Sequence, residues 1–480
     1  MSAVPAGAAG YLVVYKRQSV PADARARIAE AEGRLVHAYP EIGVAVVRSG
    51  DAGFKRELLL EDRRVDGVVP ANALSFELPG TSSGFDAAGP LEGDLPNTPA
   101  GDADTLSALQ WNTRQIHAPE AHAITGGSRL VTVADIDSGL DSSHPDLRAN
   151  IDFAGSAACQ SGAPITDPTG VAWDDSIGHG TFTAGLTAAA SNGVGIVGVA
   201  PNISIAAVKI ASATGTITWP AVVCALVYAG RQHFDVANNS YSVDPSRYYC
   251  HNNPAQRVVI KAVQRAVQFA RREGVTVVAS AGNENIDLAH PPLGNNCPRV
   301  PTELPGVIAV SADGSLQQKA FYSNYGVGAI DLTAPGGDPA QPTPTPFGTL
   351  VSTYPNPAKL PPSQRTRAFP SGGAFYRFDF GTSFSAAHVA GVAALIISRY
   401  GDISNPGNGK MRPGQVEAFL QQTADPIACP PDPFAPVIGP PVLPAPTAFP
   451  AECQGGEGHN GFYGHGQVNA LRAVTHDPSG

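Results

Sequence analysis

Three short segments of this 480-residue chain carry an aspartate, a histidine and a serine, in that order, where apolar runs hand over to loops or helices. In VADIDSGLDSSHPDL an apolar strand delivers Asp137 at its end. A carboxylate buried there can hold an imidazole in one tautomer and stabilise its charged form. Asp-Ser-Gly after a strand is also ordinary turn chemistry, so the aspartate alone decides nothing. In GHGTFTAGLTAA, His179 stands between two glycines at the start of a small-residue helix. Glycine flanks let the chain approach closely, and an imidazole that titrates near neutrality can take a proton from a hydroxyl and return it to a leaving amine. In GTSFSAAHVAGVAALIISRY, Gly381 permits a tight turn and Ser383 falls at or near the first turn of a long helix. A serine there often only caps the helix; as a nucleophile it would gain from free backbone N–H groups and the positive end of the helix dipole. SAGNEN adds Asn283, whose amide can donate to an oxyanion.

These segments, in this order, resemble those of the subtilisin-like serine proteases, and the resemblance covers roughly residues 105 to 470. It implies a serine endopeptidase that works through an acyl-enzyme, with Asp137 as orienting carboxylate, His179 as general base and acid, Ser383 as nucleophile and Asn283 as oxyanion donor. No cofactor is then required for the chemistry. The reading from another class is a binding or scaffold protein that keeps the fold without turnover, which an intact triad disfavours. Departures from the family pattern are Phe182 in place of a second histidine, Phe384 in place of the usual methionine after the nucleophile, and Ala387 in place of the usual proline.

Extended peptides in such enzymes add as a strand to exposed backbone edges. The resemblance places those edges at Ser240, Tyr241 and Ser242, and at Ser280, Ala281 and Gly282; Ser242 stands where glycine is usual. It also implies a candidate structural calcium site from the Asp146 carboxylate, Asn192 and the carbonyls of Ala190, Val194 and Ile196, since oxygen ligands in that number suit Ca²⁺.

The elements that must position these groups follow from apolar patterning. Over residues 105–400, runs such as RLVTVADI, ISIAAVKI, VTVVASAG and GVIAVSA alternate with helical stretches such as NPAQRVVIKAVQRAVQFARREG. Continuous apolar strands alternating with helices predict a mostly parallel sheet covered on both faces, an α/β fold whose site lies beyond the carboxyl ends of the strands. Residues 10–78 read instead as strand, helix, strand, helix, strand, a small α+β ferredoxin-like unit. By position and pattern it resembles the inhibitory prodomain of the same proteases, which would act as an intramolecular chaperone and inhibitor. Residues 1–9 read as a tail, and residues 79–104, rich in Gly, Pro, Ser and Asp, as a linker holding a self-processing site. The peptidase domain is expected over 105–475, with surface insertions at 337–379 and at the proline-rich 425–453.

Composition bounds the partners. Charged residues are only 15% of the chain, and a net charge of −10 without a basic stripe argues against nucleic acid. No stretch approaches eighteen uninterrupted apolar residues, so no membrane span is expected, and the opening residues lack a signal-peptide pattern. The partners expected are peptide or protein substrates and the chain's own prodomain, on a monomer. Six cysteines without a CxxC pair read as three disulfides, hence an oxidising, extracellular setting. Fifteen pairings are open; Cys250 with Cys297, Cys429 with Cys453 and, by elimination, Cys159 with Cys224 is the set expected.

Overall fold

The structure is a computed structural model that describes residues 9–71, 76–77, 103–241, 248–291, 294, 296–341, 348–365, 368–404, 410–431, 437–438, 448–449 and 451–476. Its N-terminal unit runs β1 (Ala9–Tyr15), α1 (Ala24–Glu30), β2 (Gly33–Tyr39), β3 (Val44–Ser49), α2 (Phe54–Glu61) and β4 (Val65–Pro70). The order β2-β3-β1-β4, antiparallel throughout, is the ferredoxin-like split βαβ arrangement. The sequence reading missed β2 and joined its start to the preceding helix. The break is local: Glu32 takes φ 58° in the left-handed region, and a Cβ on Gly33 would lie 2.4 Å from the Phe54 ring. The helix must stop there for the strand to tuck beneath α2.

One further strand, β5 (Phe76–Glu77), leaves this unit and pairs with β10 below. The main body begins with α3 (Trp111–Gln115) and α4 (Ala118–His122), then β6 (Thr132–Asp137), β7 (Ala157–Ala158), β8 (Ile165–Thr166) and α5 (His179–Ala188). It continues through β9 (Ser204–Lys209), β10 (Thr216–Ile217), α6 (Trp219–Arg231), β11 (Val236–Asn239), α7 (Pro254–Arg272) and β12 (Thr276–Ser280). Then come β13 (Val307–Asp313), β14 (Leu332–Pro335), β15 (Leu350–Tyr354), α8 (Pro362–Arg365), β16 (Phe369–Ser371), β17 (Ala374–Asp379), α9 (Thr382–Tyr400), α10 (Pro413–Thr423) and α11 (Ala470–Thr475). The central eight-stranded sheet has the order β14-β13-β12-β11-β6-β9-β7-β8 and is parallel except for β8 at the edge. Apart from the exposed edge strand β8, its strands are buried on both faces, as their apolar runs require: α6 and α7 cover one side, and α9, α10 and α11 the other. Helix α9 is long and apolar enough to cross a membrane by length and composition, yet 89% of that stretch is buried inside the protein, which makes it a core helix.

The segment 337–379, read from sequence as a surface insertion, is built differently where it is described. Strands β15, β17 and β16 form an antiparallel sheet, with Val351, Thr353, Tyr354, Tyr376 and Phe378 buried. Ser352 and Thr353 donate to the carbonyls of Phe182 and Thr181 at 2.7 and 2.6 Å, so the sheet braces α5. Glycine and proline masked the strand pattern. The three disulfides are Cys159–Cys224, Cys250–Cys297 and Cys429–Cys453, as expected.

The N-terminal sheet packs one face on α1 and α2 and the other on α6 and α7, where Leu12, Val14, Val44 and Val69 join the same core as Val222 and Val259. Arg265 on α7 reaches across this contact and donates to the carbonyls of Tyr15, Ile42 and Lys16 at 2.9–3.1 Å. Lys261 pairs with Asp66 at 2.8 Å. Arg265→Met strands those three carbonyls at a cost of about 3 kcal/mol. In a Ser383→Ala background, hydrogen exchange of β1–β4 is expected to speed up while the central sheet keeps its protection. Unchanged exchange in β1–β4 would show that the guanidinium contributes nothing to docking.

Candidate active site

Asp137 ends β6, His179 opens α5 and Ser383 is the second residue of α9, so all three lie at the carboxyl end of the parallel sheet. Asp137 is fully buried and His179 and Ser383 are 4% and 2% exposed. Both oxygens of Asp137 lie 2.9 Å from His179 Nδ1, and Oδ1 also accepts the Ser138 N–H at 2.6 Å. This approach demands glycine: a Cβ on Gly180 would lie 2.3 Å from the Gly139 carbonyl oxygen and 3.2 Å from Asp137 Cβ. A second buried carboxylate, Asp175, accepts from the N–H groups of Gly178 and Thr181 and from the Thr181 hydroxyl. It thereby satisfies the orphan donors at the start of α5 and fixes the helix that carries His179. Burial alone would push the imidazole toward neutrality; the charge and hydrogen bond of Asp137, with Asp379 beyond, outweigh it and raise the His179 pKa.

Ser383 Oγ donates to the Ser240 carbonyl at 2.9 Å, while Ser240 Oγ donates to the Ser383 carbonyl at 2.8 Å. No hydrogen bond joins Ser383 Oγ to the His179 ring among the described residues. The rings of His179 and Phe384 are 5.7 Å apart, and Phe384 packs on Phe182 at 4.3 Å. Two of the three departures noted in the sequence, Phe182 and Phe384, thus fill one apolar space beside the imidazole. Asn283 accepts the Thr382 N–H and hydroxyl on Oδ1 at 2.9 and 2.7 Å, which leaves its Nδ2 as the free end.

Ser240 follows directly on β11, and Ser280 ends β12 with Ala281 and Gly282 next, on either side of the first residues of α9: Ser240 meets Ser383, and Gly282 donates its N–H to the Thr382 hydroxyl at 3.0 Å. Tyr241 is buried and donates to Asn239 Oδ1 at 2.9 Å, which makes its side chain part of the core. Ser242 lies outside the described residues.

The candidate calcium ligands gather only in part. Asp146 Oδ2 accepts from the Ile196 N–H and the Tyr376 hydroxyl, and the Asp146 carbonyl accepts from the Ala190 N–H. Asn192 Oδ1 is turned onto the Val194 N–H. Asp146 Oδ1 is buried without a partner, and burial pushes this carboxyl up to about 8. The unpaired Asp146 oxygen is a feature a hard cation would satisfy, while Asn192 Oδ1 is shared with the Val194 N–H; structural calcium at these residues is unconfirmed. Among the described residues, no group of three or more His, Cys, Asp or Glu is placed to hold a metal.

Sequence reasoning missed Asp135, although a charge in an otherwise apolar strand was a visible signal. It is buried beneath the site and bonded by Asn238 Nδ2 at 2.9 Å and by Thr183, whose hydroxyl lies 3.0 Å from Oδ2. Asn238 accepts from Ser240 Oγ at 3.0 Å, so a continuous chain runs from Asp135 to the backbone of Ser383.

A parallel sheet covered on both faces, with an aspartate, a histidine and a serine at its carboxyl end in that chain order, defines the subtilisin-like architecture of serine peptidases. Residues 128–466 match the subtilase family, and the chain belongs to it. It is 31% identical over 317 residues to subtilisin NAT of Bacillus subtilis subsp. natto, a match that spans 66% of this chain and 66% of that protein. To thermitase of Thermoactinomyces vulgaris it is 30% identical over 324 residues, 67% of this chain and 91% of the relative. The crystal structure of the epidermin leader peptide processing serine protease from Staphylococcus aureus superposes with a TM-score of 0.67 at 19% identity. That fold-level likeness covers 98% of both chains and so takes in the N-terminal unit.

Asp135 yields a test. Desolvation, then the neighbouring Asp137 charge, pushes its carboxyl well above the ordinary carboxylate range. An acid whose folded pKa is raised contributes most stability below its unfolded pKa of about 4 and loses it as pH climbs toward the folded value. Asp135→Asn keeps the shape and removes that titration. In a Ser383→Ala background its Tm is expected to exceed that of the parent at pH 8, with the gap closing toward pH 4. A lower Tm at pH 8 would mean that the carboxylate is charged and needed.

Proposed function

We propose that this protein is a serine endopeptidase using Asp137, His179, Ser383 and Asn283. The observation that carries the reading is the paired approach of both Asp137 oxygens to His179 Nδ1 at the sheet end that also carries Ser383. Asp137 fixes the tautomer that leaves Nε2 free to accept a proton. For the reaction, Ser383 Oγ exchanges its bond to the Ser240 carbonyl for one to that nitrogen. Oγ then attacks the substrate carbonyl carbon as His179 takes its proton, and the new oxyanion meets Asn283 Nδ2 and the Ser383 N–H. His179 returns the proton to the leaving amine; water, activated by the same imidazole, then cleaves the ester and releases Ser383. No metal or organic cofactor takes part in these steps.

Residues 10–78 act on this reading as an inhibitory prodomain. Their sheet is docked on α6 and α7, and β5 pairs antiparallel with Thr216 and Ile217 of β10, which leads the chain toward the peptidase body. A strand held in that way can continue into the cleft as a substrate does. Cleavage is proposed between about Leu78 and Leu106, mostly outside the described residues. The three disulfides support an extracellular setting.

Expressed without host proteases, the wild-type chain should shorten by about a fifth with time while Ser383→Ala stays full-length, since losing the nucleophile removes nearly all acyl transfer. Equal shortening of both, followed by mass spectrometry, would overturn self-processing. Asn283→Ala should fold, bind peptide with a similar KM and lose roughly 10²- to 10³-fold in kcat. A loss confined to KM would make Asn283 a substrate-positioning group instead.

A further inference from the structure

Arg299 is only 1% exposed, the least of the described arginines, and it is incompletely paired. Its Nη2 donates to Glu284 Oε1 at 2.9 Å, while Nε and Nη1 are buried with no hydrogen-bond partner among the described residues. A guanidinium stays charged under all working conditions and presents five N–H donors. Each buried donor left unpaired costs about 1–3 kcal/mol. Glu284 offsets little of this: its side chain is 18% exposed, and its Oε2 is already engaged by Asn324 Nδ2 at 2.8 Å.

The position of this charge gives it meaning. The guanidinium lies against the α-carbon of Gly282, where a Cβ would come within 2.5 Å of Nη2 and 2.7 Å of Cζ. Three residues on, Thr302 donates to the Ser280 carbonyl at 2.8 Å, so the chain from Arg299 to Thr302 runs behind Ser280–Gly282. Gly282 and Glu284 flank Asn283, the proposed oxyanion donor. With a substrate carbonyl between Ser383 Oγ and Asn283 Nδ2, the side chain of the residue that supplies that carbonyl falls between Ser240 on one side and Ser280–Gly282 on the other. Arg299, packed against Gly282 and bonded to Glu284, borders that space on the Ser280–Gly282 side.

Resting on the peptidase reading above, we propose that Arg299 is a specificity-determining residue that selects aspartate or glutamate on the acyl side of the cleaved bond. The substrate carboxylate takes the unpartnered Nε and Nη1 edge, a planar fork that matches two carboxylate oxygens, while Glu284 keeps Nη2. The acid is recognised by groups that are otherwise buried and unpaired, which is the arrangement that discriminates best against a neutral analogue.

The test uses self-processed enzyme and fluorogenic peptides identical except for Glu, Asp, Gln, Leu or Ala at that residue, with a fluorophosphonate to count active Ser383. The expected result is a kcat/KM for Glu or Asp at least about tenfold above that for Gln. Arg299→Met should erase that preference while Leu cleavage persists, and Glu284→Gln should sharpen it by removing the competing carboxylate. Were Arg299→Met not to fold, the wild-type and Glu284→Gln profiles decide alone. Labelled enzyme that cleaves Ala or Leu as well as Glu overturns this inference and leaves the peptidase reading standing, because the arginine then merely fills the space. Failure of Ser383 to label, with no cleavage of any peptide, overturns both.

Discussion

A carboxylate with no exposure to water has to be met by donors on every side, and the Asp137–His179 contact is the constraint around which the site is arranged. It fixes where α5 begins, forces glycine at position 180 against the Gly139 carbonyl, and requires a second acid, Asp175, to hold the first turn of the helix. It also explains why β15 crosses over to brace α5 through the carbonyls of Thr181 and Phe182. An imidazole aimed to within a few tenths of an ångström cannot ride on a helix free to shift.

Ser383, the proposed nucleophile, is held by a different device. Reciprocal hydrogen bonds between Ser240 and Ser383 tie the end of β11 to the start of α9, and Asn238 and Asp135 continue that tie into the sheet. His179 and Ser383 are thus anchored through separate strands, β6 and β11, that are neighbours in register. Thr183 links the two systems, since its hydroxyl lies near both Asp135 and the first turn of α5. Rigidity at the site is the property of a hydrogen-bonded network in a dry interior, where each member is costly to leave unpaired.

Much of this was legible in the sequence because the signals are local: strand-terminal Asp137, glycine-flanked His179 and the small-residue run after Ser383 each need a particular backbone. The parallel sheet was legible for the same reason, since strands buried on both faces must be continuously apolar. Illegible parts depend on partners distant in the chain. Strand β2 hides behind helix-forming residues until Phe54 is seen to occupy the space beside Gly33. The 350–379 sheet hides behind glycine and proline until Ser352 and Thr353 find α5. Arg299 and Glu284 are fifteen residues apart, and nothing in their spacing shows that one charge is buried beneath the other.

The outer face of α7 illustrates a compromise between adhesion and solubility. One surface has to grip the N-terminal sheet in one state and, were that sheet to leave, stand in water in the next. A wholly aliphatic face would hold well and then invite aggregation; a wholly charged one would remain dispersed and grip nothing. Arg265 and Lys261 meet both demands, because their stems contribute to the packed surface beside Val258 and Val259 while their heads bond to the carbonyls of Tyr15, Lys16 and Ile42 and to Asp66. On departure those heads rehydrate at little cost. The same residues that make the contact strong thus make its loss harmless, and a mutation that improved one property by removing a charge would degrade the other.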